Sequence, residues 1–379
     1  MDFGLNEDQE TLAKYARDFL DNECPTTFVR KMLEHETAHD ASFYQHIAQL
    51  GWMGIAIPEQ FGGGGMTYVD LAVLLEEMGR ALVPGPFFAT VCLAAPVIVE
   101  AGNDAQKQDL LPQIASGERN ATVAYTEASG NVEASGIEMS ARADGNNFVL
   151  GGTKRFVLDA HVADTLIVAA RTSDGGDPTD GVTLFIVGAK TPGVSIKQLN
   201  TMDMTRRLCD VTFENVTVGS DAVLGEVERG WSKLGSAIQR ATGLLSAECV
   251  GGASKVLDLS VAYARERIQF GRPIGSFQAV KHKCADMLVD VELGRSAMYY
   301  AAWAASDEPN ELALAASIAK AFCGEAYTRV ATTGIHVHGG IGFTWEHDMH
   351  LYFKRAKSNE VLLGSPTYHR DRVARLVPA

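Results

Sequence analysis

The spacing of hydrophobic residues changes twice along this chain, and each change marks a different kind of structure. Up to about residue 118 the apolar residues recur every three or four positions, which predicts helices. Asn6 precedes the first such run and Gln9 follows three positions later, a pattern typical of a helix N-terminus. Further helical runs follow Asp40 and Thr67. We therefore predict an α-helical domain over residues 1–118.

From about residue 119 to residue 226 short β-rich runs replace the helical pattern. Clusters of Gly, Asp and Asn separate these runs, as strands separated by tight turns require. The runs lie at 122–125, 148–150, 165–170, 182–187, 194–198 and 210–218. This spacing predicts a compact β-sandwich or β-barrel as the middle domain, residues 119–226.

The helical pattern returns for the remainder of the chain, residues 227–379. No proline interrupts the segment from Ser232 to Arg267, which predicts one helix of about 36 residues. Further helices are predicted at 276–306, at 310–333 and from about residue 350. Long helices with short connections are typical of an antiparallel bundle. The predicted fold class is therefore α+β and multidomain, with a helical domain, a β domain and a C-terminal four-helix bundle.

Composition and charge exclude several kinds of partner. The chain has 379 residues, of which 46% are hydrophobic, and a net charge of −14. Such a charge argues against a nucleic-acid partner and against an anionic membrane surface. No apolar run is long enough for a membrane helix, and the acidic N-terminus lacks the features of a secretory signal. We expect a cytoplasmic protein.

The cysteines and histidines do not follow any metal-binding spacing. Six cysteines are scattered along the chain without a CxxC pair, which favours reduced thiols in a cytosolic protein. Four histidines lie close together in the sequence, at positions 336, 338, 347 and 350. Two of them belong to a glycine-rich turn that has another explanation, given below. We therefore predict no metal site.

Three motifs point to one family. Residues 267–278 read R-I-Q-F-G-R-P-I-G-S-F-Q, which resembles the R-x-Q-F-G-x-P-I-x-x-F-Q signature of the acyl-CoA dehydrogenases. Residues 338–343 read H-G-G-I-G-F and resemble the G-G-x-G-[FY] turn of that family. Residues 125–127, Y-T-E, resemble the start of its T-E-P loop. The order of the motifs agrees along the whole chain, and the sequence is similar to actinobacterial steroid side-chain acyl-CoA dehydrogenase subunits.

The resemblance implies FAD as the cofactor, held between subunits. In the family, the arginine of R-x-Q-F-G reaches the FAD pyrophosphate of a neighbouring subunit, a role that falls here on Arg267. Phe270 and Gln278 would lie beside it, and Gly339 and Gly340 would let the backbone approach the same pyrophosphate. By the same resemblance Tyr125, Thr126, Phe156, Val157, Leu158, His336 and Thr367 bind the cofactor, and Thr242 and Leu362 bind substrate.

On the flavin side this sequence departs from the family. The family's T-E-P-x-[AG]-G-S-D reads T-E-A-S-G-N-V-E at 126–133, so Val132 replaces a serine. The family's W-I-[TS]-N reads F-V-L-D at 156–159, so Leu158 replaces the hydroxyl that usually bonds the flavin. A backbone N–H at 157 or 158 could still serve. These changes weaken the FAD contacts expected from this chain alone.

The catalytic base is missing from both positions where the family places it. The usual glutamate of Y-E-G falls in Leu362-Leu363-Gly364, and the alternative position on the long helix falls at Ala241. Glu248 stands seven residues later, which returns to within about 20° of the same helix face. We identify Glu248 as the candidate base, since its apolar surroundings would desolvate it. The alternative is a glutamate that faces solvent or pairs with an arginine such as Arg240 or Arg265.

Three functions are compatible with these observations. The first is FAD-dependent dehydrogenation of a bulky or branched acyl-CoA by Glu248, as in lipid or steroid degradation, with electrons passed to an electron-transfer flavoprotein or a similar acceptor. The second is a non-catalytic subunit that completes the FAD site of a related chain in an α2β2 assembly. The third is a flavin oxidase or monooxygenase. A site shared between chains predicts a homo- or hetero-oligomer, either a dimer or a tetramer.

Overall fold

A computed structural model describes residues 4–377, which form two compact units. The first contains the chain up to Lys31, Thr67–Val83 and everything from Gln239 onward, and the second contains Met32–Met66 and Pro84–Ile238. The first unit is helical, while the second carries the sheet and several shorter helices. The N-terminal helices are thus shared between the two units, and the boundaries at 118 and 226 stay predictions.

The described residues contain eleven α-helices, one large sheet and a second sheet of two short strands, β9 (Ile268–Gln269) and β10 (Arg272–Pro273). The helices are α1 (Glu7–Glu23), α2 (Thr26–Glu34), α3 (Ala41–Gln49), α4 (Tyr68–Ala81), α5 (Ala95–Ala101), α6 (Asp104–Ala115), α7 (Gly230–Glu266), α8 (Gln278–Ser306), α9 (Pro309–His338), α10 (Met349–Val361) and α11 (Pro366–Leu376). The strands of the sheet are β1 (Ala121–Ala124), β2 (Ser140–Asp144), β3 (Asn147–Leu158), β4 (Thr165–Arg171), β5 (Val182–Gly188), β6 (Val194–Gln198), β7 (Leu208–Gly219) and β8 (Val223–Leu224).

Local chemistry sets several helix boundaries of the first unit where the sequence predicts them. Asn6 caps α1 and exchanges hydrogen bonds with Gln9, and Thr67 caps α4 in the same way through Asp70. The predicted long helix is α7, which runs for 37 residues. A run without proline or a helix-stopping glycine motif lets the backbone hydrogen bonds continue over that length.

The sheet of the second unit is mixed but mostly antiparallel. The strand order is β6-β7-β3-β2-β4-β5-β8, with β1 added parallel to β4. One hydrophobic cluster draws residues from every strand of this sheet, with Leu150, Val168, Phe185 and Phe213 among those fully or almost fully buried. Such a shared interior is what the predicted β-sandwich or barrel requires.

The sequence pattern missed two strands and shortened two others. β2 reads S-A-R-A-D and is mostly exposed, so it lacks the apolar run that marks a strand. β8 has only two residues. β3 and β7 each extend over 12 residues, because they pair with each other along most of their length. Tertiary pairing rather than local preference therefore sets these strands.

The second unit also contains a π-helical segment, Phe88–Ala94, that leads into α5. All seven of its residues are buried. All six cysteines are free thiols. None of the helices within residues 4–377 is long and apolar enough to cross a membrane.

Candidate active site

A polar cluster lies in the interior of the helical unit, around Glu248 on α7. The Glu248 Oε1 accepts a hydrogen bond from Arg355 Nη1 at 2.8 Å and one from Asn359 Nδ2 at 2.9 Å. Glu248 is 4% exposed, Arg355 is 1% exposed and Asn359 is fully buried. Arg355 and Asn359 lie four residues apart, on one face of α10. The candidate base is therefore the anion of a buried, hydrogen-bonded ion pair.

The backbone around Glu248 is packed tightly against α4. A side chain at Gly79 would overlap the backbone of Glu248, and a side chain at Gly251 would overlap the carbonyl oxygen of Glu76. Two glycines therefore let α4 and α7 approach more closely than larger residues would permit. The A-E-C-V-G run of α7 accordingly contains a helix-packing glycine as well as the candidate base.

The cation that pairs with Glu248 is not one of those considered from the sequence. Arg240 places its guanidinium over the ring of Tyr68 at 5.5 Å, and Arg265 is exposed in the last turn of α7. The alternative weighed from the sequence, a glutamate paired with an arginine, is found here with Arg355 as the arginine. Arg355 is 107 residues away in sequence, so no helical spacing relates it to Glu248. The sequence does show that Arg355 and Asn359 are four residues apart and can share a helix face, but this spacing does not show that they contact Glu248.

The turn after α10 contains the position to which the sequence resemblance assigns the family's usual base. Leu363 occupies this position, with a left-handed φ of 59° and its side chain buried. Lys320 Nζ donates to the carbonyl oxygens of Glu360 and Gly364, at 2.9 Å each. His369 Nε2 donates to the carbonyl of Leu363, also at 2.9 Å. The turn is thus held from two sides, with no proton acceptor on its side chain.

Burial changes the titration of both groups that hold this turn. Burial lowers the pKa of Lys320 to about 8, because the charged ammonium is desolvated. Burial lowers the pKa of His369 to about 4, and the charge of Lys320 adds to the effect. The imidazole of His369 is therefore neutral at pH 7, which is the form that can donate from Nε2 while Nδ1 carries no proton.

One end of the helical unit presents groups suited to an anion. Arg267 follows α7 directly, is exposed, and makes neither an ion pair nor a hydrogen bond through its side chain within the part of the chain that the structure describes. Gln278 is the first residue of α8, whose N-terminus has no side-chain cap. Phe270, in a left-handed conformation with φ 53°, is 91% exposed. An unpaired guanidinium and an uncapped helix N-terminus both favour phosphate oxygens.

Gly339 and Gly340 lie at the same end of the helices. The ring of His338 stacks on Tyr263, one turn before Arg267, with centroids 4.5 Å apart. Gly339 has φ 67° and ψ −144°, a conformation that glycine adopts much more readily than other residues. A side chain at either glycine would meet no atom within 4 Å. The backbone is thus open where the sequence predicts approach to a pyrophosphate.

In the second unit the residues predicted to face the flavin lie on two adjacent segments. Tyr125 and Thr126 follow β1, and Thr126 exchanges hydrogen bonds with the backbone of Arg155 on β3. Phe156 is 48% exposed with φ 57°. The side chain of Val157 lies in the core of the sheet, so only its backbone could meet a ligand there.

The remaining predicted site residues differ in their exposure to solvent. Thr242 is buried within α7, and Leu362 is half-buried at the end of α10. His336 is exposed near the end of α9, and Thr367 is exposed in the first turn of α11. Leu158 is buried, and its carbonyl oxygen accepts from the Thr122 hydroxyl at 2.7 Å. The structure supplies no independent evidence of a ligand at these five positions.

Sequence reasoning also missed a second buried ion pair, in the sheet. Lys154 Nζ lies 2.5 Å from Glu127 Oε1, and Lys154 is fully buried. Burial lowers the pKa of Lys154 to about 8, against the opposing effect of the Glu127 charge. Among residues 4–377 there is no group of three or more His, Cys, Asp or Glu side chains that could hold a metal.

Comparisons with known proteins agree on the family over the whole described chain. The sequence profiles of the acyl-CoA dehydrogenase N-terminal, middle and C-terminal domains match residues 6–118, 122–216 and 228–377. The chain belongs to the acyl-CoA dehydrogenase family. It is 33% identical to the acyl-CoA dehydrogenase IpdE2 of Mycolicibacterium smegmatis over 98% of both chains.

Solved structures of acyl-CoA dehydrogenases superimpose on the full chain. Butyryl-CoA dehydrogenase from Megasphaera elsdenii is 27% identical with a TM-score of 0.92, covering 99% of each chain. A chain of the ChsE4–ChsE5 complex from Mycobacterium tuberculosis is 30% identical with a TM-score of 0.90, covering all of both chains. The protein is thus an oxidoreductase of this family, whose reaction is the FAD-dependent dehydrogenation of acyl-CoA.

The residues of this chain fit FAD on the pyrophosphate side. The open backbone at Gly339 and Gly340 and the unpaired guanidinium of Arg267 match an anionic, closely approaching ligand. When bound, FAD accepts the hydride that leaves the acyl chain. In this family the protein holds the cofactor, orients the thioester and supplies a base for the substrate.

Proposed function

We propose that this chain is the base-lacking subunit of a heteromeric acyl-CoA dehydrogenase, in which it completes an FAD site while a partner chain supplies the catalytic base. One observation carries the proposal. The carboxylate of Glu248 is held by Arg355 and Asn359, and no other acid occupies the two positions that the family uses.

The ion pair opposes a role for Glu248 as a base in two ways. A buried guanidinium 2.8 Å away favours the ionised carboxylate and makes it a weaker proton acceptor. A base must also reach the α-carbon of the substrate within hydrogen-bond distance. Glu248 Oε1 instead accepts hydrogen bonds from Arg355 and Asn359 of α10, and breaking them would separate the buried guanidinium from this carboxylate.

The cofactor side supports a shared FAD site. Arg267, Gly339 and Gly340 keep the features of a pyrophosphate site, while Val132 and Leu158 replace groups that would hold the flavin and its surroundings. A chain that mainly completes the pyrophosphate side of its neighbour's site can lose these side-chain contacts and keep only backbone contacts to a flavin. A subunit that completes the FAD site of a partner chain is expected to keep the pyrophosphate residues while its flavin residues change.

The relatives support a heteromeric assembly and a bulky substrate. The structure that contains ChsE4 and ChsE5 is described as a complex of the two. Another solved relative, 32% identical with a TM-score of 0.87, is described as a steroid acyl-CoA dehydrogenase formed by Tcur3481 and Tcur3483. We extend both properties to this chain, which would act in an α2β2 tetramer on a bulky or branched acyl-CoA such as a steroid side chain, with an electron-transfer flavoprotein as acceptor.

The second candidate is an enzyme in which Glu248 of this chain is the base. Its support is the burial of the carboxylate in the middle of α7, on the face that Ala241 shares. Substrate binding would then have to displace Arg355 and Asn359 from the carboxylate.

Expression of the chain alone separates the two candidates. We expect the purified chain to hold less than one FAD, and we expect a steroid side-chain acyl-CoA to leave its flavin absorbance unchanged in stopped-flow mixing. Glu76→Gln is the matched control for Glu248→Gln, because Glu76 is another buried glutamate held by an arginine, Arg295 at 3.0 Å. Bleaching by the chain alone that is lost in Glu248→Gln but kept in Glu76→Gln would overturn the proposal.

Assembly gives a second test of the same proposal. Leu288, Val289 and Leu293 of α8 are each at least half exposed, which leaves apolar surface of this helix uncovered. We expect light scattering to report a dimer or tetramer, and Leu288→Glu with Leu293→Glu to dissociate it. A monomer that holds a full complement of FAD would contradict the shared site.

A further inference from the structure

The buried ion pair of the sheet connects three backbone segments. Lys154 Nζ donates to Glu127 Oε1 at 2.5 Å and to the carbonyl of Tyr125 at 3.3 Å. Glu127 Oε1 also accepts from the backbone N–H groups of Glu138 and Met139, at 3.0 and 2.9 Å. The pair therefore fastens the segment after β1 to β3 and to the start of β2.

Directly beside this pair, β3 leaves its regular pairing. Lys154 pairs with Val211 and Val157 pairs with Cys209, so three steps along β3 match two along β7. The extra residue forms a bulge that contains Phe156, whose φ is 57°. Bulges of this kind change the direction of a side chain and expose backbone groups.

Two further hydrogen bonds hold the bulge against the segment after β1. The backbone N–H of Arg155 donates to the carbonyl of Thr126 at 2.8 Å, and the Thr126 hydroxyl donates to the carbonyl of Arg155. Tyr125 and Thr126 are thus bound to Lys154 and Arg155 at consecutive positions. The geometry of the bulge depends on where this segment lies.

Stability alone does not explain an ion pair in this place. A buried Lys–Glu pair loses its hydration, and well-packed hydrophobic residues are often as stabilising or more so. The pair instead fixes the position of the backbone. The ammonium donates to one carbonyl and the carboxylate accepts from two N–H groups, and none of these three backbone groups takes part in strand pairing. Such contacts determine where the backbone lies.

We propose that Lys154 is a positioning residue for the flavin: with Glu127 it locks the Phe156 bulge against Tyr125 and Thr126, and so sets the backbone groups that meet the flavin ring. This inference rests on the proposed function, in which the backbone of these segments still meets a flavin although the side-chain contacts expected at Val132 and Leu158 are lost.

The test separates the flavin ring from the rest of the cofactor. Full-length apoprotein, with any chain that copurifies, is titrated with FAD by quenching of flavin fluorescence, and with ADP by competition. ADP carries the adenine and the pyrophosphate but not the ring. We expect Lys154→Met to raise the Kd for FAD at least about tenfold and to leave the Kd for ADP within about twofold.

Two further variants separate positioning from folding. Arg171→Met is the matched control, because Arg171 donates to four backbone carbonyls of the same unit, those of Ala134, Ile137, Pro178 and Asp180. It should lower the unfolding temperature without changing the FAD to ADP affinity ratio. The double variant Lys154→Met with Glu127→Leu removes both charges, so that neither is left buried alone. It allows the FAD and ADP titrations to be made if Lys154→Met does not fold.

The inference is overturned if the folded double variant binds FAD as the wild type does, or if Arg171→Met changes the FAD to ADP ratio equally. The visible flavin spectrum gives a second reading, since a displaced ring changes the resolution of its absorbance bands. Failure of the proposed function would look different. Bleaching of the chain alone by acyl-CoA would refute the missing base, while the FAD to ADP ratio would still report on Lys154.

Discussion

Glu248 and Arg355, 107 residues apart in sequence, form a hydrogen-bonded ion pair of 2.8 Å in the interior of the helical unit. Truncating the arginine leaves a buried carboxylate without its charge partner, which typically costs about 3–5 kcal/mol. We expect Arg355→Met to lose that much free energy of unfolding. Glu248→Gln should lose a comparable amount, because it removes the anion that offsets the buried and permanently charged Arg355 guanidinium. Urea unfolding measures both.

A double-mutant cycle provides the control for this pair. Glu248→Gln combined with Arg355→Met should lower the free energy of unfolding by clearly less than the sum of the two single changes. Once one of the two residues has been replaced, replacing the other no longer breaks an interaction between them. Additive losses would mean that the two side chains do not interact in solution.

The close approach of α4 and α7 predicts an asymmetric response to alanine. Gly251→Ala places a methyl group on the Glu76 carbonyl, and overpacking of this kind typically costs about 1–3 kcal/mol. Gly235→Ala, in the same helix, meets its nearest atom at 3.5 Å and gains up to about 1 kcal/mol of helix propensity. Thermal unfolding should therefore shift in opposite directions. Equal shifts would refute the packing role of Gly251.

Arg267→Ala should remove flavin without disturbing the fold. Arg267 is exposed and has no side-chain partner among residues 4–377, so its loss should change stability by less than about 0.5 kcal/mol. Loss of a charge-assisted phosphate contact should reduce FAD retained through gel filtration at least severalfold. Arg265→Ala, two residues earlier and also exposed, is the control and should retain wild-type flavin. Unchanged flavin in Arg267→Ala would contradict the pyrophosphate role.

His369 predicts a specific loss of stability in acid. Its pKa is about 4 in the folded chain, below the ordinary value of 6.5, because burial disfavours the charged ring. Between these values the unfolded chain takes up a proton that the folded chain does not, so stability falls as the pH drops from 6.5 to 4. The contribution is about 1–3 kcal/mol.

His369→Gln keeps a donor for the Leu363 carbonyl but cannot titrate. Its free energy of unfolding should therefore depend less steeply on pH over this range than that of the wild type. His282→Gln replaces an exposed histidine and should keep the wild-type slope. Parallel curves for wild type and His369→Gln would show that the buried imidazole does not resist protonation.

Much of this protein follows from its sequence alone. The caps at Asn6 and Thr67, the uninterrupted helix α7 and the turn-separated strands are all local properties, determined by residues within a few positions of each other. The family motif at 267–278 likewise lies in one continuous segment, so FAD and the family were predictable.

Tertiary structure alone decided the state of the candidate base. Burial of Glu248 could be inferred from its apolar neighbours, but its partner Arg355 could not, because α7 and α10 meet only after the helices pack. The same holds for Lys154 and Glu127, which meet only when β3 packs beside the segment that follows β1. Whether a carboxylate can act as a base or only stabilises the fold depends on the groups within about 3 Å of it. Those groups are brought there by contacts between segments that lie far apart in the chain.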